Sequence, residues 1–283
     1  MSVESPWAEA DAYFVRADPP TERNGAEAES THSTFRPTRH AQGVWRADEL
    51  HMAPVAGVIA AELQSHQRRE DLRIARLNFE ILGTLHGQEF DVVTTTIRAG
   101  RTIELVESVM ISRGRPCLVG RAWRLATLDT SEVSVRHDPV MPGPDEAEPY
   151  PGISQWPGGY IQSLEVSALP DHAPGHGRGW LSNPYAMVDG EPTDPLVKLV
   201  GMVDTANGVA PVLHAGPGGH SFANVDLQIH LHRLPVGDHL GLETTSNVGP
   251  DGVGLTSAVL HDLHGPFGRS AQIQTIREIP AAR

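Results

Sequence analysis

Residues 76–81 read Arg-Leu-Asn-Phe-Glu-Ile, and residues 224–229 read Asn-Val-Asp-Leu-Gln-Ile. In both stretches apolar side chains alternate with polar ones, a pattern typical of a strand with one buried face. Leu77 and Val225 are 148 positions apart, and the turn glycines Gly114 and Gly265 are 151 apart. The chain is therefore predicted to contain two similar half-domains, and the seam between them is a natural place for a ligand pocket.

Working outward from the repeat, each copy is predicted to place one helix before a meander of strands. The first copy has a predicted helix at residues 47–66, with Asp48 as a candidate N-cap, and strands at residues 73–82, 90–98, 102–112 and 117–125. The second has a predicted strand at residues 159–169, a helix from Asp194-Pro195 to Asn207-Gly208, and strands at residues 223–232, 239–247, 254–261 and 268–277. This arrangement is typical of an α+β fold.

Two segments lack such periodicity. Residues 18–34 are rich in Pro, Glu, Ser and Thr and are predicted to be a loop. Residues 127–158 switch to Pro, Gly, Asp and Glu and are predicted to form a connector. The expected organisation is an N-terminal repeat with its arm at 1–126, the connector at 127–158, and a C-terminal repeat at 159–283.

The composition narrows the class of protein. The chain of 283 residues is 39% hydrophobic and carries a net charge of −13, which disfavours a nucleic-acid or anionic membrane partner. It has one cysteine, so an internal disulfide framework is excluded. Neither a secretory signal nor an apolar run of the ~20 residues of a membrane span is visible. A cytoplasmic location is expected.

Asp204 is the most informative single residue. The preceding stretch, residues 196–203, is apolar almost all round, as in a buried helix, and Asp204 interrupts it about one turn before the Asn207-Gly208 stop. A buried carboxylate near a helix C-terminus is costly, and both effects raise its pKa towards the range of a general base. A solvated Asp at a frayed helix end is the alternative. The aligned residues of the first helix, 58–61, contain no acid.

Further motifs resemble the acyl-CoA thioesterase II-like family, whose fold is a double hotdog. This fold has two tandem repeats, each with a central helix wrapped by an antiparallel sheet. The resemblance covers roughly residues 35–278 and is carried by residues 100–106, 120–125, 203–208, 224–233 and 268–272. It implies hydrolysis of the thioester between an acyl chain and coenzyme A, an activity within lipid metabolism. CoA would enter as part of the substrate, and no separate cofactor is implied.

The resemblance also implies a catalytic trio in the second copy. The family positions a water molecule with an Asp, a Thr or similar residue, and a Gln, which fall here on Asp204, Asn224 and Gln272. Asn224 departs from the family pattern because it offers an amide where a hydroxyl is common. Gln274 is a second candidate for the Gln. Without the resemblance, Asn224 and Gln272 are typical of solvated strand faces.

Three functions are compatible with these residues. The leading one is an acyl-CoA thioesterase in which Asp204 is the general base. The second is a protein of the same fold that binds an acyl group or acyl-CoA without cleaving it. The third is an enoyl-CoA hydratase, which the sequence disfavours because the histidine that such enzymes carry five residues after the Asp is replaced by Val209. His230 and His232 share a strand face without a convincing third ligand, so no metal site is predicted. A monomer and a homo-oligomer are both compatible with the sequence.

Overall fold

The computed structural model describes residues 5–24 and 29–281. In the first half its elements are β1 (Ala12–Arg16), β2 (Thr21–Asn24), β3 (Glu29–Pro37), α1 (Met52–Ser65), β4 (Leu72–Ile81), β5 (Phe90–Arg98), β6 (Ile103–Ser112) and β7 (Arg115–Ala126). Then come β8 (Glu148–Pro149), α2 (Pro151–Ser154) and α3 (Gly159–Gln162). The second half continues with β9 (Glu165–Ala168), β10 (His176–Ser182), β11 (Ala186–Val188), α4 (Pro195–Val203), α5 (Ala206–Val209), β12 (His220–Asn224), β13 (Asp226–Leu231), β14 (Leu240–Val248), β15 (Val253–Asp262) and β16 (Gly265–Glu278). Three short 3-10 turns lie at Arg39–Ala41, Ser131–Val133 and Pro144–Glu146.

The strands of the described residues form one large, mostly antiparallel sheet. Its main path runs β11-β1-β3-β5-β6-β7-β4-β13-β16-β15-β14-β10-β9-β8, and β2 and β12 pair on β3 and β16. The halves meet at the antiparallel pair β4–β13, where Phe79 lies opposite Leu227. Both side chains are fully buried, so the repeated motif that opens the sequence forms the centre of the sheet and of the core.

Helices α1 and α4 are buried against this sheet and against each other. Nearly every residue of α1 is buried, which matches its apolar composition. Asp194 caps α4 by accepting a hydrogen bond from the Leu196 amide, with Pro195 at the first helical position, as the sequence predicts. The two helices are in close contact at Gly57 and Gly201, since a β-carbon at Gly57 would lie 3.0 Å from the Gly201 α-carbon. A side chain at either glycine would first displace the end of Met187, which packs against both of them.

Strand pairing corrects the alignment of the two copies. Val106 pairs with Ala122 as Thr256 pairs with Gln272, so equivalent positions differ by 150 residues. The equivalence of Leu77 with Val225 at 148 is wrong, because Leu77 is fully buried whereas Val225 is 39% exposed. The reason is a break at Val225 between β12 and β13, which a pattern of alternating residues does not reveal.

Three other predictions need correction. Described residues of the predicted loop at 18–34 include β2 and most of β3, and β3 pairs with β5 across Thr31–Thr94 and neighbouring pairs. Tertiary pairing of β-branched residues overrides the polar composition there. The predicted strand at 159–169 begins instead with helix α3, whose Tyr160 hydroxyl is hydrogen-bonded to Thr205. The helix predicted from Asp194 to Asn207 is broken at Asp204 into α4 and α5.

No helix among residues 5–24 and 29–281 is long and apolar enough to cross a membrane.

Candidate active site

Asp204 lies where α4 ends, and its side chain is buried, only 4% of the residue being exposed. Its Oδ1 accepts a hydrogen bond of 2.6 Å from Nδ2 of Asn224. Burial raises the pKa of Asp204 to about 6, and the bond from Asn224 opposes part of that rise. The carboxyl is therefore enclosed and able to exchange a proton close to neutral pH, which a solvated helix-end Asp would not do.

Asn224 reaches Asp204 because β12 ends beside the broken helix. Its Nδ2 faces the carboxylate, and its Oδ1 accepts a bond of 3.3 Å from Nδ2 of Asn207, one turn beyond Asp204 on α5. This pair of contacts fixes the orientation of the amide, with the donor towards the acid. The structure thus brings two of the three sequence-predicted residues into direct contact.

Gln272 comes to the same place by a different route. It is 1% exposed on β16, and its Nε2 donates a hydrogen bond of 3.2 Å to the backbone carbonyl of Asp204, not to the carboxylate. Its Oε1 is buried without a hydrogen-bond partner among the residues that the structure describes. Gln272 therefore caps the end of α4 and supports Asp204 from behind. The other candidate, Gln274, accepts a bond from Thr256 instead.

His51 completes the cluster and was not identified from the sequence. It is the N-cap of α1, in place of the predicted Asp48, and its Nδ1 accepts a bond of 3.1 Å from the Ala53 amide. The same Nδ1 lies 3.4 Å from Oδ2 of Asp204, across the seam between the two halves. Burial lowers the pKa of His51 to about 3, so the ring is neutral at pH 7. The one sequence signal was a polar residue directly before an apolar helix.

The protonation of this pair follows from the hydrogen bonds. Because Nδ1 of His51 accepts from Ala53, the proton of the neutral ring is assigned to Nε2. Nδ1 and the ionised Asp204 carboxylate are then two acceptors facing each other. Protonation of Asp204 removes the repulsion between these two acceptors, which favours uptake of a proton by the carboxylate. The Tyr160 ring supports His51 from one side, with ring centroids 4.2 Å apart.

A cavity of about 370 Å³ opens onto these groups. Its polar lining includes His51, Asp204, Asn207 and Asn224, and Gln272 does not line it. Apolar walls come from both copies and from the connector, namely Trp45, Ile81, Leu82, Leu85, Trp156 and Phe222. The cavity therefore lies at the seam between the start of α1 and the end of α4. Trp156 belongs to a segment whose composition predicted no structure, so its role could not be read from the sequence.

Other candidate groups lie elsewhere. No cluster of three or more His, Cys, Asp or Glu residues suited to a metal ion occurs within residues 5–24 and 29–281. His230 and His232 are exposed on the strand face opposite the helices. Asp226 accepts a hydrogen bond from the Ile273 amide, and Arg233 forms its ion pair with Asp262.

Comparisons with known proteins agree with this architecture. Among solved structures, a conserved protein of unknown function with a hot dog fold from Alicyclobacillus acidocaldarius superposes with a TM-score of 0.67 at 12% identity, over 90% of this chain and 95% of that one. The acyl-CoA thioesterase II TesB2 from Mycobacterium marinum gives 0.63 at 16%, over 91% and 96%. The tesB protein of Mycobacterium avium subspecies paratuberculosis gives 0.61 at 14%, over 90% and 95%. At these identities the likeness shows a shared hotdog fold.

Family assignment rests on the sequence. A search of curated proteins finds no match. The acyl-CoA thioesterase N-terminal domain matches residues 41–125, and the acyl-CoA thioesterase C-terminal domain matches residues 144–276. The two matches stand in their family order and together span most of the chain. The protein therefore belongs to the acyl-CoA thioesterase family.

Proposed function

We propose that the chain hydrolyses acyl-CoA thioesters to a free acid and CoA, with Asp204 as the general base. The observation that carries this proposal is the buried Asp204 carboxylate, which faces a cavity at the seam and has its pKa raised to about 6. We further propose that residues 1–126 and 159–283 are tandem hotdog repeats around α1 and α4, with residues 127–158 as the connector.

The reaction follows from the donors and acceptors in the cavity. Asp204 takes a proton from water as the water oxygen attacks the thioester carbonyl carbon. A negative charge develops on the carbonyl oxygen. It is stabilised by the Nε2–H of His51 and by the positive end of the dipole of α1, whose first residue, Met52, lines the cavity. The carbon–sulfur bond then breaks, and the proton held by Asp204 passes to the departing CoA sulfur. Asn224 and Gln272 hold Asp204 in place through its side chain and its backbone.

Binding without hydrolysis is the alternative function. It is favoured by the position of Gln272, which faces the backbone of Asp204 and does not line the cavity, so that fewer groups are free to hold water. The His51–Asp204 pair also permits addition of water to an enoyl-CoA, although that reaction has less support from the family.

A thiol-release assay over acetyl-, hexanoyl-, palmitoyl-, phenylacetyl- and crotonyl-CoA separates these functions. We expect release of CoA from at least one saturated ester, in proportion to enzyme. Tight binding of an ester with no release would support the binding protein and overturn hydrolysis. Loss of the enoyl absorbance of crotonyl-CoA without thiol release would identify a hydratase.

The pH profile should report Asp204 directly. Because the base must be ionised, kcat/KM is expected to fall about tenfold per pH unit below about pH 6. Asn224→Ala removes the bond that lowers the pKa of Asp204, so its acid limb should move to higher pH while kcat falls. Asn224→Thr restores a donor and should recover part of the shift. An acid limb that stays in place in Asn224→Ala would contradict this role.

A further inference from the structure

A second cavity lies behind one wall of the first. It measures about 20 Å³ and is lined by the loop after α5, including Pro211, Val212 and Leu213, and by residues of β14 to β16. Phe222 and Asn207 line both cavities. The Phe222 side chain is therefore part of the wall between them.

Neighbouring aromatic rings hold Phe222 in this position. The ring is nearly buried and meets Trp45 edge to face, with centroids 5.4 Å apart, and Trp156 at 5.7 Å. Phe222 and Asn224 are two residues apart on β12, so both side chains lie on the same face of that strand. Asn224 binds Asp204, so Phe222 lies only two residues along β12 from the residue that contacts the reacting carboxylate.

Resting on the hydrolysis proposed above, we propose that Phe222 sets the acyl specificity of the site, confining it to short-chain or single-ring acyl groups. The first cavity offers about 370 Å³, and a cavity of roughly 150 Å³ is enough to hold benzene. An aryl group or a short alkyl chain fits beside the thioester, whereas a longer chain that extends along β12 meets the Phe222 ring. Beyond the ring, the second cavity is lined by the apolar residues Pro211, Val212, Leu213, Val248 and Ile276 and by the polar residues Asn207, Ser246, Thr256 and Gln274. Removing the ring joins the two spaces.

The experiment measures kcat/KM for butyryl-, hexanoyl-, decanoyl- and phenylacetyl-CoA. The wild-type protein should favour butyryl-, hexanoyl- and phenylacetyl-CoA over decanoyl-CoA. Phe222→Ala should raise the ratio of decanoyl to butyryl kcat/KM by about tenfold or more, since each methylene that finds apolar room improves discrimination several-fold. Phe222→Leu should give a smaller shift and serves if the alanine variant does not fold.

Two further variants distinguish removal of the Phe222 wall from a general enlargement of the first cavity. Leu85→Ala widens the first cavity at a residue that does not line the second, and should leave the ratio within about twofold of wild type. Val212→Phe added to Phe222→Ala refills the second cavity and should return the ratio towards wild type. Equal ratios in Phe222→Ala and Leu85→Ala, or a wild-type preference for decanoyl-CoA, would overturn the inference.

The same ranking can be measured without turnover, as Kd values of the four esters on an Asp204→Asn background. A shift of affinity towards decanoyl-CoA in Phe222→Ala supports the wall even if the wild-type protein releases no thiol. In that case the hydrolysis proposal fails and the specificity proposal stands. Thiol release by the wild-type protein with an unchanged ranking in Phe222→Ala would instead support hydrolysis and overturn the specificity proposal.

Discussion

Asp204→Asn is expected to lower kcat for thiol release by at least about a thousandfold while making the protein more stable at pH 8. Activity falls because an amide cannot accept the proton of the attacking water. Stability rises because the substitution removes a buried charge and improves the contacts of the side chain at position 204. The Asn oxygen still accepts the bond from Asn224, and its NH₂ group replaces the carboxylate oxygen that faces Nδ1 of His51, so the contact between two acceptors is lost.

The sign of the stability change depends on pH. The folded state raises the pKa of Asp204 from 3.8 to about 6, so folding favours the protonated form. The ionised carboxylate therefore lowers the free energy of unfolding. This loss is absent below the pKa of the unfolded state and complete above the pKa of the folded state. It corresponds to roughly 1–3 kcal/mol at pH 8. The advantage of Asp204→Asn should therefore shrink as the pH falls from about 6 to about 4.

Asp262→Asn is the matched control, because Asp262 is equally buried in the same half. The pKa of Asp262 is lowered in spite of burial, since Arg233 and two backbone amides bind the carboxylate. This variant should therefore lose stability and keep thiol release per folded molecule. Melting temperatures at pH 8 and pH 5, with single-turnover rates, measure both effects. Residual turnover near the wild-type rate in Asp204→Asn would remove Asp204 as the base.

The centre of the fold could be predicted because its residues alternate or repeat with a clear period. β4 and β13 follow from apolar alternation, and the start of α4 follows from Asp194-Pro195. The edges could not be predicted in this way. Strand β3 is polar and forms through its pairing with β5, and the breaks at Asp204 and Val225 follow from tertiary packing, which no local pattern encodes.

The same distinction applies to the site. Asp204 stood out because an acid in an apolar helix is costly and needs a reason. Asn224 and Gln272 depended on the family resemblance, since polar residues on strands are common. The sequence did not identify His51, because its partner Asp204 lies about 150 residues away across the seam. It did not identify Trp156 either, because that residue reaches the cavity from the connector. The contact of two chain segments that distant cannot be derived from spacing along one sequence.

The first copy shows why only one end of the helix pair carries this chemistry. In the matching register, Asn224 and Gln274 correspond to Ile74 and Arg124, and Gln272 corresponds to Ala122. Arg124 is 3% exposed and donates to the Leu63 and His66 carbonyls at the end of α1 and, at 2.9 Å, to Glu104. The end of α1 is thus closed by a buried ion pair where the end of α4 faces a cavity.

Arg124→Met is therefore expected to lower the free energy of unfolding by about 3–5 kcal/mol. The substitution leaves Glu104 buried without its cation and takes the donor from two helix-end carbonyls. A loss of this size is a large part of the stability of a typical domain. Urea unfolding at pH 7 measures it. The double variant Arg124→Met with Glu104→Leu removes the stranded charge as well and should recover part of the loss.

The thiol-release rate per folded molecule should remain near wild type in both Arg124 variants. Arg124 binds the last turn of α1 whereas His51 caps its first, and the 14 residues of the helix separate them by about 20 Å. A large loss of stability with unchanged catalysis is what a purely structural role for Arg124 at the C-terminal end of α1 requires. If Arg124→Met has the unfolding free energy of wild type, or if it stays folded and loses turnover, the ion pair does not have a purely structural role.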